Sequence, residues 1–153
     1  MAKNNYSRNM GSVSCGTMRE EDLIPRFLYE LKQMRPLHRE HRKLIREIEH
    51  NMETVKNYFA SYEAGCDLND GLFDALGAYA LPYFYFGAHP GDGADYGYWL
   101  SENFDDDFDG LKVDDLAGVP KGFSGEVLVV NDHGNMSLYA YSRGRGREIW
   151  SIV

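Results

Sequence analysis

Cysteine, tryptophan and long apolar runs are scarce in this chain, and each scarcity closes a class of explanation. Two cysteines in 153 residues, Cys15 and Cys66, cannot make a disulfide framework, and their separation is not that of a thiolate metal site. No segment approaches the roughly 20 consecutive apolar residues a membrane-spanning helix requires. Met1 to Thr17 lacks the apolar stretch of a signal peptide, so a cytoplasmic protein with reduced thiols and no membrane partner is expected. Nucleophile motifs are also missing. No serine sits in a G-x-S-x-G frame, and Gly91-x-Gly93 is followed by no Lys-Ser/Thr pair to hold a phosphate.

Basic residues are missing from the middle of the chain. Between positions 63 and 125 only Lys112 and Lys121 stand against 13 acidic residues, within a total formal charge of -8. A segment of that sign repels nucleic acid and suits a basic protein surface or cations. The same pattern also serves as a solvated surface that keeps a small protein in solution.

What is present suffices for one domain. Apolar residues make up 43% of the chain, which favours a packed globule over disorder. Residues 1–16, rich in Asn, Ser and Gly, read as a flexible tail, and 17–153 as a single α+β domain. Thr17 and Glu20 have capping-box spacing. Leu23, Phe27, Leu31 and Met34 then recur at helical intervals, predicting a helix over about 21–34 that Arg35-Pro36 ends. His41, Leu44, Ile48, Met52, Val55, Phe59 and Tyr62 continue the three-and-four stepping, predicting a second helix that runs to Gly65. A short third helix carries Leu72, Phe73, Leu76 and Tyr79.

After Pro82 the period changes. Tyr83 to Phe86 and Tyr96 to Leu100 are strand-like and flank a Gly/Asp-rich stretch, predicting a hairpin with a long loop. Residues 126–153 read as a three-strand meander turning at Asp132-His133-Gly134-Asn135 and at Ser142 to Gly146. The expected architecture is α+β, with N-terminal helices packed on a mostly antiparallel sheet of about five strands.

Three groups of residues are candidates for chemistry. Asp105-Asp106-Asp107-Phe108-Asp109-Gly110 opens like a calcium loop, but its twelfth position is Leu116 where a bidentate Glu is required, so an acidic surface loop is the expectation. His89 with Asp92 and Asp95, and His133 with Asp132, offer a metal or acid–base site if the strands bring them together. Asp-His-Gly-Asn is equally good turn chemistry. The third group is aromatic. On two neighbouring strands one face can be core while the other exposes tyrosines and Trp99, residue types that anchor protein interfaces, or both faces are covered, one by the second helix and one by loops.

Asp22-Leu23-Ile24-Pro25, Tyr85-Phe86-Gly87-Ala88-His89-Pro90-Gly91-Asp92-Gly93-Ala94-Asp95, Gly125-Glu126-Val127-Leu128 and Asn131-Asp132-His133-Gly134-Asn135 carry a resemblance. With these the chain resembles a group of small acidic proteins encoded by phages and prophages, over roughly 20–25 and 70–153. An apolar strand ending in a Gly/Asp-rich turn, followed by a Gly-aromatic strand and an Asp-His turn, is similar to the SUKH-type immunity proteins, which bind and neutralise toxins. The first likeness implies a phage setting without an established activity, and the second an α+β binding module. Small acidic phage proteins often look like inhibitors of host nucleic-acid machinery of the restriction or CRISPR kind, a carboxylate-rich surface competing for a basic groove. The combined expectation is a non-catalytic binding protein without a cofactor. Asp92, Asp95, Asp105, Asp106, Asp107 and Asp109 would steer it onto a basic host surface, with Tyr96, Tyr98 and Trp99 as anchors. The alternative is a small metal-dependent enzyme using His89, Asp92, Asp95, Asp132 and His133.

Overall fold

A computed structural model describes residues 9–153, which gather into two compact units, residues 9–101 and residues 102–153. No boundary is visible in the composition of 17–153, yet the chain packs around two centres, one rich in helix and one in strand.

In the first unit, α1 (Glu20–Lys32) buries Leu23, Ile24, Phe27, Leu28 and Leu31 and begins with Glu20, Glu21 and Asp22 at its positive end. Thr17 does not form the expected capping box; its hydroxyl donates to Asp22 Oδ2 at 2.7 Å. α2 (Arg39–Thr54) turns His41, Ile45 and Ile48 inward and keeps Arg42, Lys43, Arg46 and Glu47 outside. It is shorter than the apolar stepping predicts. Val55 leaves the helix at φ -81°, ψ 123°, and Asn57 takes a left-handed turn at φ 52°, which Asn tolerates. That turn sends Tyr58 into the core, where its hydroxyl donates to Asp67 Oδ2 at 2.9 Å, and leaves Tyr62 84% exposed. Ser61 then caps α3 (Tyr62–Cys66), which runs through a wide π turn (Asp67–Leu72) into α4 (Phe73–Gly77). Gly65, the expected stop, lies inside α3.

These helices cover one face of a three-stranded antiparallel sheet in the order β1-β3-β2, made of β1 (Gly11–Ser14), β2 (Phe84–His89) and β3 (Asp92–Leu100). β1 corrects the expected tail; residues 1–8 of that tail lie outside the described residues. Its backbone pairs with Tyr98, Gly97 and Tyr96, Val13 is buried, and Arg26 Nε of α1 donates to the Val13 carbonyl at 2.8 Å. Gly97 makes this approach possible, because a Cβ there would stand 2.1 Å from the Gly11 carbonyl oxygen. The β2–β3 connection is not the long loop expected but a two-residue turn, Pro90-Gly91, between His89 and Asp92.

The second unit holds α5 (Phe104–Asp107), β4 (Leu111–Val113), β5 (Gly125–Val130), β6 (Met136–Ser142) and β7 (Arg145–Ile152), with sheet order β4-β5-β6-β7. β5 to β7 are the expected meander, and β4 lies parallel to β5. Arg143 and Gly144, at φ 51° and 78°, make the tight turn whose twist matches antiparallel strands. Leu128, Leu138 and Trp150 stand opposite one another across three strands and are all buried. The class is α+β, with seven strands among the described residues divided between two sheets rather than about five in one.

Candidate functional site

The acidic run is held by its phenylalanines. Phe104 and Phe108 are buried, their ring centres 5.5 Å apart, and Phe104 meets Trp150 edge-on at 5.7 Å. One helical turn between two inward rings leaves Asp105, Asp106 and Asp107 on the outside, and Asp109 follows them there. Glu102, Asp114 and Asp115 are exposed as well, so seven carboxylates between 102 and 115 face solvent with Lys112 as the one basic residue among them. Lys112 Nζ sits 3.6 Å from Asp105 Oδ1 and over the Phe108 ring. No calcium-type loop forms. A helical turn places Asp105 and Asp107 on diverging bearings, and β4 begins where the loop would continue.

The hairpin residues divide by strand parity. Tyr98 does not stand on the open face. It is 1% exposed, packs 4.9 Å from Phe86, and donates its hydroxyl to the Leu76 carbonyl at 2.7 Å. Tyr96, two residues before it, shares that inward face and meets Phe73 and Phe27. Tyr98 therefore offers no surface to a partner, while Tyr96 is half-buried against the same helices. Trp99 takes the opposite face with Tyr85, its cross-strand partner. The Trp99 indole donates to the Gly87 carbonyl at 3.0 Å and receives the His89 ring edge-on at 4.6 Å.

The residues of the expected metal or acid–base set are divided between the two units. His89 Nδ1 accepts from Gly91 N at 3.0 Å, Asp92 Oδ1 accepts from Ala94 N, and Asp95 Oδ1 accepts from the Ser12 hydroxyl at 2.5 Å, so each side chain serves local structure. Asp132 and His133 belong to the second unit, where Asn131 builds the turn: its Oδ1 accepts from His133 N and Asn135 N, both at 3.0 Å, and Gly134 supplies φ 80°. Neither unit brings its share of these residues into a three-donor group.

Among the described residues, the group of three such donors that does come together is one the sequence reading passed over. His38, Glu40 and His41 place one donor atom each within 4.8 Å of one another at the start of α2. His41 is buried, and that burial lowers its pKa, against the opposing pull of Glu40. The readable signal was the i, i+3 spacing of two histidines around a Glu; their third partner, Tyr79, is distant in sequence.

No helix among the described residues is long and apolar enough to cross a membrane. The chain matches no family model, no curated protein and no solved structure.

Proposed function

We propose that this chain is a non-catalytic binding protein whose acidic 102–115 surface docks on a basic surface of a nucleic-acid-handling partner. One observation carries the reading: Asp105, Asp106, Asp107 and Asp109 are exposed on a segment whose Phe104 and Phe108 are buried. A carboxylate cluster fixed before encounter loses less conformational freedom on docking than a flexible tail would. It also steers a basic partner over distances of about 10 Å at ordinary salt. The phage setting is drawn from the resemblance of the Tyr85–Asp95 and Asn131–Asn135 segments, and inhibition of a restriction or CRISPR-type complex from the acidic charge and analogy with other small acidic phage proteins.

The test is retention of partners from a bacterial lysate by wild type beside the variant Asp105→Lys, Asp106→Lys, Asp107→Lys, Asp109→Lys. These side chains are exposed, so circular dichroism and melting should be nearly unchanged. A nucleic-acid-handling protein held by wild type, released by rising salt and not held by the variant is the expected result. Equal retention by the two proteins at ordinary salt overturns the interface.

A further inference from the structure

We propose that His38, Glu40 and His41 form a binding site for a divalent transition-metal ion of the zinc type. The site is built on the helix start that also positions it. His38 is the extended residue before α2, at φ -64° and ψ 151°, and His41 is three residues on, so their rings stack at 5.3 Å and 25°. Glu40 turns its Oε1 to within 3.9 Å of His38 Nδ1.

A tyrosine organises both imidazoles. Tyr79 follows α4, and its hydroxyl lies 2.8 Å from His41 Nδ1 while accepting the backbone N–H of His38 at 3.0 Å. Its ring lies 4.9 Å from His38 and 5.2 Å from His41. Ligation through His41 Nε2 requires Nδ1–H to donate to the Tyr79 oxygen, which has a second lone pair to accept it beside the His38 N–H. This is the arrangement by which a second partner fixes ring orientation and tautomer in protein metal sites.

Donor chemistry chooses the ion. Two imidazoles and one carboxylate, with no thiolate, suit Zn2+ over Ca2+ or Mg2+, which take mainly oxygen. Tetrahedral ligands at about 2.0–2.1 Å stand roughly 3.4 Å apart, closer than the 4.8 Å limit here. Turning the two exposed side chains, His38 and Glu40, toward the fixed His41 closes that gap. Three protein donors leave a fourth position for water or for a donor from a partner. Arg39, Lys43 and Arg46, which share a surface groove with Glu40, oppose a cation, so binding in the micromolar range is expected rather than the tighter binding of closed structural sites.

The test uses the full chain stripped of metal. Zinc sulfate is titrated at neutral pH by calorimetry, with the imidazole nitrogens followed by NMR. The expected result is one equivalent bound, movement of the His38 and His41 resonances, and binding weakened by about tenfold or more in His38→Ala and in Glu40→Gln. Both residues are exposed, so these variants should keep the fold, and Tyr79→Phe should weaken binding without touching the ion. No stoichiometric binding overturns the proposal. So does binding that survives the His38→Ala, Glu40→Gln double variant, or that is lost instead in Cys15→Ser or Cys66→Ser.

Discussion

The helix-rich unit and the strand-rich unit bury their aromatic residues differently, and the difference decides where charge is displayed. In residues 9–101 the Phe27 ring is met edge-on by Phe73 at 5.3 Å and Phe86 at 5.1 Å, so helix and strand elements enclose one centre. In residues 102–153 a single row, Leu128, Leu138 and Trp150, includes the tryptophan that Phe104 covers, with Phe108 beside it. The short segment that brings those two rings inward has room for its acidic residues only outside. Charge in the first unit is interleaved instead, as in the Arg26–Glu30, Lys32–Glu49 and Lys43–Glu47 pairs. Pairs of that kind add little stability, but each sets a charge beside its opposite. The acidic surface is thus a consequence of how the smaller core is closed.

Removing the centre of that smaller core is the largest test of the comparison. Trp150 is fully buried, and Trp150→Ala should cost about 3–5 kcal/mol, since the cavity adds to the lost transfer energy. Urea denaturation gives the loss. Hydrogen exchange should show β5–β7 amides opening and the 104–108 segment losing its order, because Phe104 has lost the ring it meets. A cost below about 1 kcal/mol would mean that Trp150 is not what closes this unit.

A second test sets one glycine of each sheet against the other. At Gly97 a Cβ meets backbone, the Gly11 carbonyl oxygen at 2.1 Å and Ser12 Cα at 2.9 Å, which cannot swing aside. Gly97→Ala should therefore cost about 1–3 kcal/mol and free β1 from the sheet, read as new proteolytic cleavage near residues 11–16. At Gly146 the Cβ meets the far end of the Tyr141 ring at 2.6 Å, a half-exposed side chain able to turn away. Gly146→Ala should cost less than Gly97→Ala. The reverse order would contradict the pairing of β1 with β3.

Sequence reading reached the parts of this molecule that local pattern controls. Leu23, Phe27 and Leu31 announce α1, and the turn residues between apolar runs announce the β5–β7 meander. β1 was illegible because its attachment is backbone pairing around a single buried side chain, Val13, within an otherwise polar stretch. Alternation in Tyr96-Gly97-Tyr98-Trp99 reveals two faces but not which one meets the helices, and the hydroxyl of Tyr98 reaching Leu76 belongs to the inward choice. The candidate acidic surface was visible as composition, while its anchoring by Phe104 and Phe108 was not. His38, Glu40 and His41 needed Tyr79 to become a group, and no local pattern links a helix start to a residue 38 positions beyond His41.

A further test is electrostatic and compares the units by pH. Burial, with a hydrogen bond to Asp67, pushes the Tyr58 phenol well above the usual tyrosine range, and burial with the nearby Glu30 does the same for Tyr98. Both phenols are almost wholly enclosed in the helix-rich unit. A phenol whose pKa is raised by folding holds its proton more tightly in the native state. Its contribution is therefore complete below the unfolded value of about 10 and is lost as pH rises through the folded value. Each of the two should cost about 1.4 kcal/mol for every pH unit above about 10, read from urea midpoints between pH 9 and 11. In the strand-rich unit Tyr139 is raised too, by burial first and then by Glu148, but it is only half-buried and water screens it. Tyr98→Phe should remove roughly half of the alkaline slope, whereas Tyr139→Phe should change it little. An equal change from both substitutions would show that the two units enclose their tyrosines alike.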